Sequence, residues 1–119
     1  MKTIENNKLI AEFLGYIDNG CSEDGFLIHP ITNYDVEISS LKYHEDWNWL
    51  MEVVEKIESI EYGIYQVDIL QEGCKILERC RLLIDKRVGK LESDTTKIES
   101  VYLACVEFIK WYNNQNKVS

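Results

Sequence analysis

Residues 65–88 read YQVDILQEGCKILERCRLLIDKRV, and the fold turns on how this stretch alternates. Tyr65, Val67 and Ile69 interleave with Gln66 and Asp68, the period of two that a half-buried strand needs. Gln71-Glu72-Gly73 then supplies a turn. From Cys74 onward, Cys74, Ile76, Glu78, Cys80, Leu82, Ile84, Lys86 and Val88 share one parity. Lys75, Leu77, Arg79, Arg81, Leu83, Asp85 and Arg87 share the other, more polar one, which is expected to face solvent and set its basic side chains side by side. A run from 74 to 88 is long for one strand. A bend or tight turn near Glu78–Arg81 divides it, giving about three antiparallel strands.

Working outward, the helical signals flank this sheet. Downstream, Thr96 and Glu99 have capping-box spacing ahead of Ile98, Val101, Tyr102, Cys105, Phe108, Ile109 and Tyr112, a single apolar stripe that ends in the polar Asn113-Asn114-Gln115-Asn116. Upstream, Asp46 to about Ser59 places Trp47, Leu50, Met51, Val54 and Ile57 on one side and Glu52, Glu55, Lys56 and Glu58 mainly on the other. Trp49 and Val53 widen the apolar arc: either this helix is buried on two sides, or Trp49 stands partly exposed to a partner. Near the start, Thr3 is a candidate cap for a helix carrying Ile10, Phe13, Leu14 and Ile17, ended by Gly15 and Asp18-Asn19-Gly20. Between the first two helices, Phe26-Leu27-Ile28 and Val36-Glu37-Ile38 form a small hairpin or simply cover the core. The expected fold class is α+β, with three helices packed on a small antiparallel sheet, as one domain over residues 1–119 whose last few residues form a flexible tail.

Composition bounds what such a domain does. The chain has 119 residues, 45% of them hydrophobic and 29% charged, enough apolar side chain for one compact core. No apolar run is long enough to span a membrane, and Met1–Ile10 is too polar for a signal peptide. Four cysteines (Cys21, Cys74, Cys80 and Cys105) show no CxxC pairing and read as reduced cytosolic thiols. Nucleotide-binding loops, HExxH and GxSxG are all missing. His44-Glu45-Asp46 has metal-binding residue types. Consecutive residues at a helix start, however, fan out by about 100° each and do not converge on one ion. Asp18, Glu23 and Asp24 lack the spacing of a calcium loop, and Cys21 with His29 has no third group to orient it. The sequence therefore predicts no cofactor, no metal and no enzyme.

Charge and aromatic content allow two readings, a binding role or solvated acidic and basic faces that partly pair within the fold. The formal net charge is −8, and residues 1–74 carry 15 acidic against 4 basic side chains, whereas residues 75–90 carry 6 basic against 2 acidic. An acidic body favours basic partner surfaces. The candidate partner-binding face lies along the second helix: Glu45, Asp46, Trp49, Glu52, Glu55, Glu58 and Glu61. A second candidate is the basic hairpin, with Lys75, Arg79, Arg81, Lys86, Arg87 and, beyond it, Lys90. It has the chemistry to touch phosphate. There are 3 Trp, 7 Tyr and 3 Phe. Of these, Tyr34, Tyr43, Trp49 and Trp111 fall outside the predicted buried stripes; they either close the rim of the core or form an interface.

The segments LKYHEDWNWLMEVVEKIE (41–58) and KIESVYLACVEFIKWYN (97–113), with IAEFLG (10–15), resemble a small protein family of phages and prophages of Bacteroidetes-type bacteria. The resemblance covers about half the chain and brings no catalytic residues with it. It implies a phage-derived protein in the cytoplasm of a bacterial host. Small acidic proteins of such genomes that lack catalytic motifs often bind and block host defence machinery, and some resemble anti-CRISPR proteins. The expected function is stoichiometric inhibition of a host nuclease, a type II or type VI-B RNA-guided enzyme or its RNA complex, through the acidic surface. The alternatives are a nucleic-acid-contacting accessory protein using the basic hairpin, and a phage structural or assembly adaptor.

Overall fold

Helix, hairpin, helix, sheet and helix follow one another along the chain. In a computed structural model describing residues 2–18, 25–87 and 96–115, they are α1 (Lys2–Phe13), β1 (Phe26–Ile28), β2 (Asp35–Glu37), α2 (Trp47–Ser59), β3 (Tyr65–Leu70), β4 (Gly73–Glu78), β5 (Arg81–Arg87) and α3 (Lys97–Gln115). The fold is α+β, with two antiparallel sheets among the described residues, β1-β2 and β3-β4-β5. The hairpin expected from residues 26–38 is present, with Leu27 opposite Val36. The predicted tail after Gln115, Lys90 and Cys21 lie outside the described residues.

Residues 65–88 divide at Arg79-Cys80. Both residues have positive φ (50° and 74°), the backbone pattern of a two-residue hairpin turn whose twist matches the flanking strands. Neither is Gly or Asn, so the turn stores strain of about 1 kcal/mol or more per residue. Changing Arg79-Cys80 to Asn-Gly is expected to stabilise the protein by about 1–2 kcal/mol, read as a higher urea midpoint at unchanged slope.

The turn also corrects the predicted parity. It pairs Glu78 with Arg81 and Leu77 with Leu82, which reverses the facing of odd and even residues. A bulge at Leu83 reverses it again, so Ile76 meets Ile84. Leu82 consequently points outward and is half exposed, while Ile84 is buried. Uniform alternation across 74–88 required a continuous strand, and the turn plus the bulge break that condition.

The core lies between the larger sheet and the helices. The last helix, α3, packs on β4 and β5 on one side and on α1 and α2 on the other. That position explains why Ser100, Ala104 and Val106 are buried as well as Val101, Tyr102, Cys105, Phe108 and Ile109 of the predicted stripe, while its ends, Ile98 and Tyr112, are half-buried. Phe108 stands at the centre of an aromatic cluster, with its ring 4.9 Å from Tyr65 of β3 and 5.8 Å from both Trp111 and Tyr112 of α3.

Helix ends differ in places from the expectation. Thr96 caps α3, accepting from the Glu99 N–H at 3.2 Å. The helix then continues through Gln115 instead of fading at Asn113. Thr3 lies inside α1 and is not its cap. In α2 the buried arc is Leu50, Val53, Val54 and Ile57. At about 100° per residue, Trp47 falls about 70° and Met51 about 110° from the middle of that arc. Both are accordingly exposed, at 39% and 37%.

Candidate functional site

Most of the acidic face is occupied with holding the fold together. Asp46 is the N-cap of α2, its carboxylate accepting from the Asn48 N–H at 2.8 Å. Glu45 lies 3.2 Å from His44 Nε2. His44 in turn accepts on Nδ1 from the buried Asn7 amide, which also donates to the Leu41 carbonyl and accepts from the Tyr102 hydroxyl. This chain ties α1, the approach to α2, and α3 together, so the His44-Glu45-Asp46 run serves packing and capping. Among the described residues no group of three or more His, Cys, Asp or Glu is placed to hold a metal ion.

The other end of the face is similarly committed. Glu58 reaches over the sheet edge to accept the Val67 N–H at 3.1 Å. Glu61 accepts from the Tyr112 hydroxyl at 3.1 Å. Trp49 is half-buried with its ring edge-on to Tyr43 at 5.2 Å, so it closes the rim of the core. Glu52 and Glu55 are left, both exposed and neither engaged in an ion pair or hydrogen bond among the described residues.

These two carboxylates overlook a groove of about 430 Å³. Glu52, Glu55 and Lys56 of α2 form one wall, and Leu14, Tyr16 and His29 form the other. The second wall is set by backbone pairing. Ile17 and Ile28 exchange N–H···O bonds of 3.0 and 2.8 Å, which brings the segment leaving α1 alongside β1. Tyr16 and His29 therefore meet edge to face, with ring centroids 5.1 Å apart. His29 Nδ1 accepts from the N–H groups of Ile31 and Thr32 at 3.1 and 3.3 Å, holding the β1–β2 turn and leaving the ring proton on Nε2. Tyr43, edge-on to Trp49, is completely buried and its hydroxyl has no hydrogen-bond partner among the described residues. Burial pushes the Tyr43 phenol up; the neighbouring Tyr16 and Glu52 add to the shift, though neither reaches hydrogen-bonding geometry.

The basic hairpin does not form the single patch expected of it. Lys86 turns inward and pairs with Glu107 on α3, Arg81 pairs with Glu78 at 2.5 Å, and Arg87 lies 3.4 Å from Asp85. Lys75 stands opposite Asp68 on one side and Asp85 on the other. Arg79 sits in the tight turn at the far end. The turn puts Arg81 opposite Glu78, and beyond the bulge the restored parity leaves Lys86 and Arg87 on opposite faces of β5.

No protein-family model, no curated protein and no solved structure matches this chain.

The aromatic groove wall was outside the sequence reading, because Tyr16 and His29 are brought together by the 17–28 pairing and not by any local spacing. The cysteines offer less chemistry. Cys74 and Cys105 are buried and Cys80 is exposed. Burial pushes the Cys74 thiol up to about 12, with the Asp68 charge adding to the shift, and it raises Cys105 as well. An unfolded chain ionises these thiols at lower pH than the folded one, so the folded state binds more protons in that interval. Stability is therefore expected to fall as pH climbs through the ordinary thiol range towards 12, and urea midpoints taken at increasing pH measure the decline.

Proposed function

We propose that this protein is a non-catalytic inhibitor that binds an RNA-guided nuclease of a bacterial host through the exposed acidic face of α2. The observation that carries the proposal is the availability of Glu52 and Glu55. They project from a helix whose other acidic neighbours are bound internally, and they face a wall carrying Tyr16 and His29 across a groove. Carboxylates without internal partners suit a nucleic-acid-binding surface, where the partner presents Arg and Lys. The resemblance to small phage proteins supports the same reading. The hairpin supports a nucleic-acid role less well, since Arg81, Lys86 and Arg87 each have a carboxylate beside them.

Size-exclusion chromatography of the purified protein with a type II or type VI-B nuclease, loaded with its guide RNA and free of it, tests this directly. Co-elution at low ionic strength that is lost as salt rises is expected. Separate elution at low salt from both forms contradicts the proposal.

A further inference from the structure

We infer that the free edge of β2 binds an extended segment of a partner protein that carries lysine or arginine at alternate positions, opposite Asp35 and Glu37. The inference goes beyond the nuclease reading and stands independently of it. Backbone pairing defines the edge. The His29 N–H donates to the Tyr34 carbonyl at 2.9 Å, and the Ile38 N–H donates to the Gly25 carbonyl at 2.7 Å. Antiparallel pairs alternate, so Val36 turns its backbone groups toward Leu27, and Asp35 and Glu37 turn theirs away from β1. The far side of β1 agrees with this phase, because Ile28 exchanges both its backbone bonds with Ile17. The outward N–H groups of Asp35 and Glu37 and the outward Asp35 carbonyl have no partner among the described residues, while the Glu37 carbonyl accepts the Ser40 hydroxyl at 2.6 Å. A strand edge in this condition is a template for one more strand.

The side chains decide which strand the edge accepts. Asp35 and Glu37 share the exposed face of the hairpin, opposite Ile28 and Phe26, and neither has an ion pair among the described residues. A second copy of this chain fits badly. Antiparallel pairing about Val36 sets each Asp35 against the Glu37 of the other copy, and like charges directly opposite one another destabilise a sheet. A strand with a cation at both positions turns the same two sites into opposite-charge pairs. Its residue between the two cations points to the other face, the one that Val36 occupies. Apolar surface is available at this edge: Glu37 borders a crevice of about 290 Å³ whose lining includes Ile38 and the 48% exposed Ile4. The pattern that fits is therefore basic, apolar, basic, in an extended conformation.

The test is an amide NMR titration of the intact protein with capped Thr-Lys-Val-Lys-Thr, and separately with capped Thr-Glu-Val-Glu-Thr. The basic peptide is expected to shift the amides of Asp35, Val36 and Glu37. It is also expected to slow hydrogen exchange at the Asp35 and Glu37 N–H groups, a backbone signature that loose charge attraction does not give. Combining Asp35→Asn with Glu37→Gln is expected to weaken the basic peptide about five- to tenfold. Combining Asp35→Lys with Glu37→Lys is expected to reverse the preference, so that the acidic peptide binds the tighter. Glu37 has φ of −72°, which proline adopts without strain, and its N–H lies on the free edge. Glu37→Pro is therefore expected to fold as Glu37→Ala does and to lose the binding that Glu37→Ala retains in part. The inference is overturned if the basic peptide leaves these amides unmoved, if the acidic peptide binds the unaltered protein equally, or if Glu37→Pro binds as well as Glu37→Ala. It is overturned too if Glu37→Pro unfolds where Glu37→Ala does not, or if the protein dimerises with the Asp35 and Glu37 N–H groups protected. No arm uses a nuclease, so failure of the inhibitor reading leaves the result unaffected.

Discussion

Phe108→Ala is expected to lower the unfolding free energy by about 4 kcal/mol, a large share of what a domain of this size possesses. Phe108 is fully buried, and its ring is in contact distance of Tyr65, Trp111 and Tyr112, which come from β3 and α3. Truncation removes the apolar transfer energy and leaves a cavity that these large, mutually braced rings cannot collapse to fill. Urea denaturation followed by far-ultraviolet circular dichroism measures the loss. Phe26→Ala is the control: Phe26 is 37% exposed on β1 and is expected to cost less than about 1 kcal/mol. Equal losses at both positions would show that the cluster around Phe108 is not the centre of the core.

Gly73→Ala is expected to cost about 3 kcal/mol, although it adds a single methyl group. Gly73 opens β4 opposite Arg87 with φ of +152°. A Cβ there falls 2.7 Å from the Arg87 Cα and closer still to the Lys86 carbonyl oxygen. Backbone cannot swing aside as a side chain does, so β5 must separate from β4 at this end. Gly25 also has positive φ, 72°, but a Cβ there meets nothing within 4 Å. Gly25→Ala thus isolates the conformational cost, about 1 kcal/mol. A gap between the two variants in urea midpoint is the expected result, and Gly73→Ala behaving like Gly25→Ala would contradict the close packing of the hairpin.

Much of the fold was legible because its signals are local. Thr96 capping a long apolar stripe and Asp46 ahead of Leu50, Val54 and Ile57 place α3 and α2 with little ambiguity. The alternation from Tyr65 and the length of the 74–88 run give the sheet and its tight turn. The parity beyond that turn was not legible, because the bulge at Leu83 depends on which backbone groups pair across strands, and Leu82-Leu83-Ile84 reads alike in either register. The acidic surface was legible in composition but not in use. Glu58 and Glu61 look like free carboxylates in the sequence, and only the approach of Val67 and Tyr112 from elsewhere in the chain takes them up. Tyr43 was hardest to place: it precedes a helix, belongs to no periodic stripe, and is nonetheless fully buried, edge-on to Trp49.

Inhibition by occupancy, with no bond made or broken, is the central claim, and one titration addresses it most directly. A fixed amount of active guide-loaded nuclease is incubated with increasing amounts of the purified protein, and target cleavage is followed after short and long preincubation. Occupancy through Glu52 and Glu55 predicts loss of cleavage that reaches its end point at a fixed molar ratio, does not deepen with preincubation, and is weakened when Glu52→Gln and Glu55→Gln are combined. Complete inhibition at far less than one equivalent, growing with time, would show turnover and contradict the claim, as would full cleavage at an excess of the protein.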